Sequence, residues 1–97
     1  MDFERALTDY QAQLKDLEQK IVAPETLANP KKIETVNREY QRVKSIVDIG
    51  VQVVSLQQNL KNAKESLADD DTDIRELAKE EMHEIEAKLP TAEEQFT

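Results

Sequence analysis

PKKIETVNREYQRVKSIVDIGVQVVSLQQNLKNAKESL, residues 30–67, is the stretch on which the fold turns. Its apolar residues Ile33, Val36, Tyr40, Val43 and Val47 recur at threes and fours. On an α-helix that spacing forms one stripe, suited to packing against a partner helix. Asn29-Pro30 supplies a start: Asn caps free amides, and Pro is tolerated in a first turn. Read as one helix, residues 30–67 make a rod roughly 57 Å long. Such a rod cannot bury its stripe against itself, so the flanking segments must cover it.

The middle of the rod carries a competing signal. In SIVDIGVQVV, residues 45–54, Val and Ile crowd around Asp48 and Gly50, the chain's one glycine. The alternation Ile49, Val51, Val53 suits a half-buried strand. No second run exists to pair with it, and an unpaired strand leaves its backbone groups unsatisfied. The stretch therefore reads as helix, with Gly50 costing about 1 kcal/mol relative to Ala. Past the glycine the stripe resumes one position out of phase, at Val53, Leu56, Leu60, Ala63 and Leu67. The shift predicts different neighbours for the two halves.

Working outward, Phe3, Leu7, Tyr10, Leu14, Leu17 and Ile21 form a narrow heptad seam, predicting a helix over residues 2–22. Ala23-Pro24 ends it, since a residue before Pro is pushed out of helical geometry. The connection APETLAN, residues 23–29, is short enough to fold the second helix back antiparallel to the first. Downstream, Asp69-Asp70-Asp71-Thr72-Asp73 breaks the long helix. Asp73 and Glu76 read as a capping box for a third helix over residues 73–95. Its stripe is Ile74, Ala78, Met82, Ile85, Leu89, Ala92 and Phe96, and Pro90 must kink it or begin a fresh segment. The pattern still runs at Phe96, which predicts a piece of a longer protein. The expected fold class is all-α: an antiparallel helical hairpin extended to a three-helix coiled-coil-like bundle, residues 1–97 forming a single helical domain.

Composition narrows the function classes. Ninety-seven residues make one small domain. With no cysteine there is neither a disulfide framework nor a thiolate metal site, and a reducing compartment fits. No apolar run is long enough to span a bilayer, and the first residues, MDFERALTDY, are unlike a signal peptide. The net charge of −8 divides as −2 over residues 1–23, −1 over 24–29, +3 over 30–67 and −8 over 68–97. A basic central helix between acidic segments favours bundling. The acidic balance argues against sequence-independent binding to phosphate backbones.

Each candidate for chemistry meets a stronger structural reading. Asp69, Asp71, Asp73 and Glu80 stand at positions 1, 3, 5 and 12 of a calcium loop, but Ile74 occupies the position that needs Gly. A capping cluster explains them better. His83-Glu84 opens like a zinc-protease motif, yet Ala87 stands where the second His belongs. Glu80, Glu81, Glu84 and Glu86 read as a solvated helix face. Tyr10 and Tyr40 sit at seam positions and read as core. One His leaves no credible Ser-His-Asp set, and one Gly leaves no phosphate loop. No catalytic, cofactor-binding or metal residue is assigned: the chain reads as a helical interaction module and not an enzyme.

Particular strings add a resemblance. NREY at Asn37–Tyr40, KNAKESL at Lys61–Leu67 and RELAKEEMHEIEAKL at Arg75–Leu89, the last followed by Pro90, resemble the bacterial peptide chain release factor 1 family. The resemblance covers nearly the whole chain and looks like that family's amino-terminal helical domain. Release factor 2 shares the architecture but is less similar. The resemblance implies a cytoplasmic parent that reads stop codons (UAA and UAG) on the ribosome and triggers peptidyl-tRNA hydrolysis. The family's Gly-Gly-Gln loop and codon-reading tripeptide have no counterpart here, so no residue is carried over. The implied role is positioning: packing beside the parent's own core and reaching a large-subunit stalk-base protein, without sequence-specific nucleic-acid contact, cofactor or membrane. The competing readings are an unrelated helical adaptor or coiled-coil module, and a calcium-responsive helical protein.

Overall fold

The computed structural model describes residues 3–96, and every regular element among them is helical. Helix α1 spans Phe3–Ile21, α2 Pro24–Leu27, α3 Pro30–Ser66 and α4 Thr72–Phe96. The all-α expectation holds, and the three long helices fall within a residue or two of their predicted bounds. The predicted start at Asp2 lies outside the described residues. The chain divides into two compact units, Met1–Asp48 and Ile49–Thr97, with the division inside α3.

In the first unit, α1 ends where Pro24 demands it. Ala23 is extended, at φ −67° and ψ 138°, and Pro24 takes the first position of α2. This one-turn helix replaces the plain loop expected over residues 23–29. Asn29 then caps α3 as predicted: its side-chain oxygen accepts from the Lys31 N–H at 3.0 Å and the Lys32 N–H at 3.4 Å. Leu7 and Leu17 of α1 and Val43 and Val47 of α3 form the core, with Leu14, Val36 and Tyr40 half-buried. Lys20, late in α1, sits near Glu39, whereas Tyr10, earlier in α1, sits near Arg42. That order is antiparallel.

In the second unit, Gly50, Val53 and Ala63 of α3 are buried, as are Ala78, Ile85, Ala92 and Phe96 of α4. Burial of a side chain the size of Ile85 or Phe96 contributes about 1.5–3 kcal/mol. Small residues alternate with large ones along α4, and Ala78 and Ala92 leave room for a neighbouring backbone. The helix runs through Pro90 without a break in assignment, and Pro90 itself is exposed. Of the predicted stripes, Ile33 and Ile74 are outliers, each 40% exposed. Both lie in the first turn of their helix.

Candidate interaction surfaces

The acidic turn between α3 and α4 is built by its own side chains. Asp69 Oδ1 accepts from the Asp71 N–H and Asp71 Oδ1 accepts from the Asp73 N–H, both at 2.8 Å. Helix α4 therefore begins at Thr72 with Asp71 as its cap, two residues earlier than the Asp73–Glu76 box expected. The Arg75 guanidinium folds back over the turn. It donates to the carbonyls of Asp69 and Asp70 at 2.7 and 3.1 Å and to Thr72 Oγ1 at 3.0 Å. Arg75 was absent from the expected roles, although a base four residues past an Asp cluster is a usable signal. Two of the four carboxylates proposed for calcium are thus engaged with backbone amides. Among the described residues, no group of three or more His, Cys, Asp or Glu is placed to hold a metal ion.

The other candidates lie apart. His83 is exposed and borders two shallow grooves, one with Leu67, Lys79, Met82 and Glu86, the other with Lys79, Glu80 and Glu84. Glu80, Glu81, Glu84 and Glu86 are all exposed, matching a solvated face. Tyr10 and Tyr40 are half-buried at the α1–α3 seam. Another groove, lined by Gln57, Leu60, Lys61, Lys64 and Glu65, follows α3 in the second unit. None of these grooves encloses a set of converging polar groups, and the arrangement offers surfaces for contact.

One exposed pair couples Arg42 of α3 to Glu39. Arg42 Nη2 donates to Glu39 Oε1 at 2.6 Å and its Nε to Oε2 at 3.4 Å. These hydrogen bonds hold the Glu39 carboxyl below its ordinary range against the opposing effect of desolvation, with the charges of Arg42 and Lys20 adding smaller lowering contributions. The same bond raises Arg42. Arg38–Glu34, Lys44–Asp48 and Lys79–Glu76 also pair on exposed helix surfaces at one-turn spacing. Among the described residues, no helix is long and apolar enough to cross a membrane.

Comparison with known proteins places these surfaces in context. The sequence model of the PCRF domain matches residues 10–97. Among curated proteins, the chain is similar to peptide chain release factor 1 of Flavobacterium psychrophilum, with 35% identity over 77 residues, covering 78% of this chain and 22% of that protein. It is also similar to peptide chain release factor 1 of Nitratidesulfovibrio vulgaris strain DP4, with 32% identity over 90 residues, 93% of this chain and 25% of the relative. For peptide chain release factor 1 of Bacteroides fragilis strain ATCC 25285, identity is 29% over 86 residues, 88% and 23% of the two chains. The chain thus spans about a quarter of the length of the curated relatives it matches. No solved structure matches.

Proposed function

The chain belongs to the PCRF domain family, and on that premise we propose that it is the amino-terminal helical domain of a peptide chain release factor. The parent would direct translation termination in the cytoplasm at the stop codons UAA and UAG. One observation carries the reading: the family match runs over residues 10–97, nearly the whole chain, in company with relatives named release factor 1. In this reading residues 1–97 act as a single domain that positions the factor. Peptide release needs a reactive group at the ester bond, and nothing in α1 to α4 supplies one. The domain packs against the factor's own core and contacts a protein at the base of the large-subunit stalk. It makes no sequence-specific nucleic-acid contact.

Two assays test this. The isolated chain should release no peptide from ribosomes stalled at a stop codon, at any concentration. A factor lacking these residues should be recruited more slowly or dock more weakly than the intact factor, with the same ranking of stop codons. Altered codon choice at unchanged binding would place the domain in decoding and overturn the proposal.

A further inference from the structure

We infer that the turn joining α1 to α3 in the first unit is a docking surface for an acidic, amphipathic helix of another protein. Three large aliphatic side chains stand exposed there: Val22 at 67%, Leu27 at 58% and Ile33 at 40%. Within α2 the side chains are inverted relative to a surface that meets only water. Thr26 is buried, while its neighbour Leu27 faces out. The three flank or belong to the short helix α2 in sequence, and apolar groups exposed in one patch mark contact surfaces.

The backbone beneath them is pinned. The Thr26 and Leu27 N–H groups both donate to the Ala23 carbonyl at 3.0 Å, Ala28 N–H to Pro24 at 3.0 Å, and Asn29 N–H to Thr26 at 3.1 Å. The Ile33 N–H closes on the Asn29 carbonyl at 3.0 Å. The apolar groups are therefore presented on an ordered frame, and docking incurs little cost of ordering it.

Charge selects the occupant. Lys31 and Lys32 lie between Leu27 and Ile33 in sequence, and among the described residues neither ammonium group is in an ion pair, whereas Arg38, Arg42, Lys44 and Lys79 each have a carboxylate partner. Glu25 is the one acid in residues 22–33, so the turn is locally basic in a chain of net charge −8. Complementarity calls for carboxylates set beside apolar anchors. An amphipathic acidic helix carries both, with anchors at threes and fours. A nucleic-acid backbone offers the charge but no aliphatic partner for Val22, Leu27 and Ile33. The inference goes beyond the proposed function and stands on surface chemistry alone, so either can fail without the other.

The test titrates the isotopically labelled full chain with a synthetic helix bearing Leu at heptad a and d positions and Glu elsewhere, read by backbone amide shifts. Shifts confined to the turn around Val22, Leu27, Lys31, Lys32 and Ile33 are expected. The variant Leu27→Asp and the double variant Lys31→Glu/Lys32→Glu should each weaken binding by about tenfold or more. All three positions are exposed, so unchanged thermal melts are expected to accompany the loss. The same helix with Lys replacing Glu, and poly(U), are compared on the unaltered chain, independent of any variant's folding. Absence of shifts at about 1 mM peptide overturns the inference. So do shifts mapping elsewhere, equal binding of the Lys helix, or poly(U) moving the same residues.

Discussion

Val43 has no exposed surface and Leu14, across the same seam, is half-buried, so the two should respond unequally to charge. Val43→Asp should destabilise the chain by about 3 kcal/mol or more, because the carboxylate has no partner in an apolar site. Leu14→Asp should cost less, since its side chain reaches water. Gln13→Asp and Gln41→Asp, at exposed neighbours, should stay within about 0.5 kcal/mol; equal melting temperatures for all four variants would show that the seam is misassigned. A second residue-level expectation concerns protons. The folded Glu39 carboxyl is held low by its hydrogen bonds from Arg42. Its interaction is therefore complete above the unfolded value of about 4.3 and is lost as pH falls through the lower folded value. Because Glu39 is solvated, the readout is its own titration and not the melting temperature. In Arg42→Gln the carboxyl should titrate at higher pH, and an unmoved titration would contradict the assignment. At this scale the seam residues were readable from spacing alone. The cap was not: Asp69, Asp71 and Asp73 are chemically equivalent in sequence, and only the path of the backbone decides that Asp71 caps.

Helix α3 carries the main lesson at the level of elements. Its inward positions run Val36, Tyr40, Val43, Val47, Gly50, Val53, Leu56, Leu60, Ala63. Three successive steps of three, from Val47 through Gly50 and Val53 to Leu56, interrupt the regular alternation and move the stripe around the helix. The change of phase was visible in the sequence, and so was the choice of helix over strand, because no second strand was available. The place of Gly50 inside the stripe was not visible, since glycine has no side chain to count as apolar. Burial there gives opposing expectations for Gly50→Ala. Helix propensity favours Ala by about 1 kcal/mol, whereas a methyl group added to a packed site costs about 1–3 kcal/mol. The buried setting makes packing dominant, so the melting temperature should fall; a rise would mean that the site has room. Pro90 is the converse case, exposed and mid-helix. It removes the donor that would reach the carbonyl four residues back, so Pro90→Ala should stabilise α4 by up to about 3 kcal/mol. The single turn of α2 escaped the sequence reading because four residues carry no periodicity, although Pro24-Glu25 has the composition of a helix start.

At the scale of the whole molecule, physics and resemblance contributed different things. Periodicity yielded an all-α chain and a surface for contact, while the strings at Asn37–Tyr40 and Arg75–Leu89 yielded the family, and the match over residues 10–97 bears that resemblance out. Periodicity could not have supplied the family, because many Glu-rich helices share these spacings. The docking surface at Val22, Leu27 and Ile33 was equally hidden: Ile33 looks like an ordinary member of an apolar stripe until its exposure is known, and Val22 and Leu27 belong to no stripe. Charge is the remaining whole-molecule property, and it supports a definite expectation about RNA. Thirteen bases face twenty-one acids, and the bases of α3 are partly tied up in pairs with Glu34, Glu39 and Asp48. Binding to a phosphate backbone gains most of its free energy from released counterions, roughly one for each phosphate neutralised. Lys61 and Lys64 beside Leu60 line one groove, with Glu65 at its edge, and Lys31 and Lys32 stand in the first turn of α3; these four lysines neutralise at most about four phosphates. The chain should therefore show no measurable binding to poly(U) at about 0.15 M salt. Any binding at low salt should have a salt slope no steeper than about −3, at the single-strand value of about −0.7 for each phosphate contact. A steep slope, or retention at physiological salt, would mean that the basic groups of α3 converge on RNA.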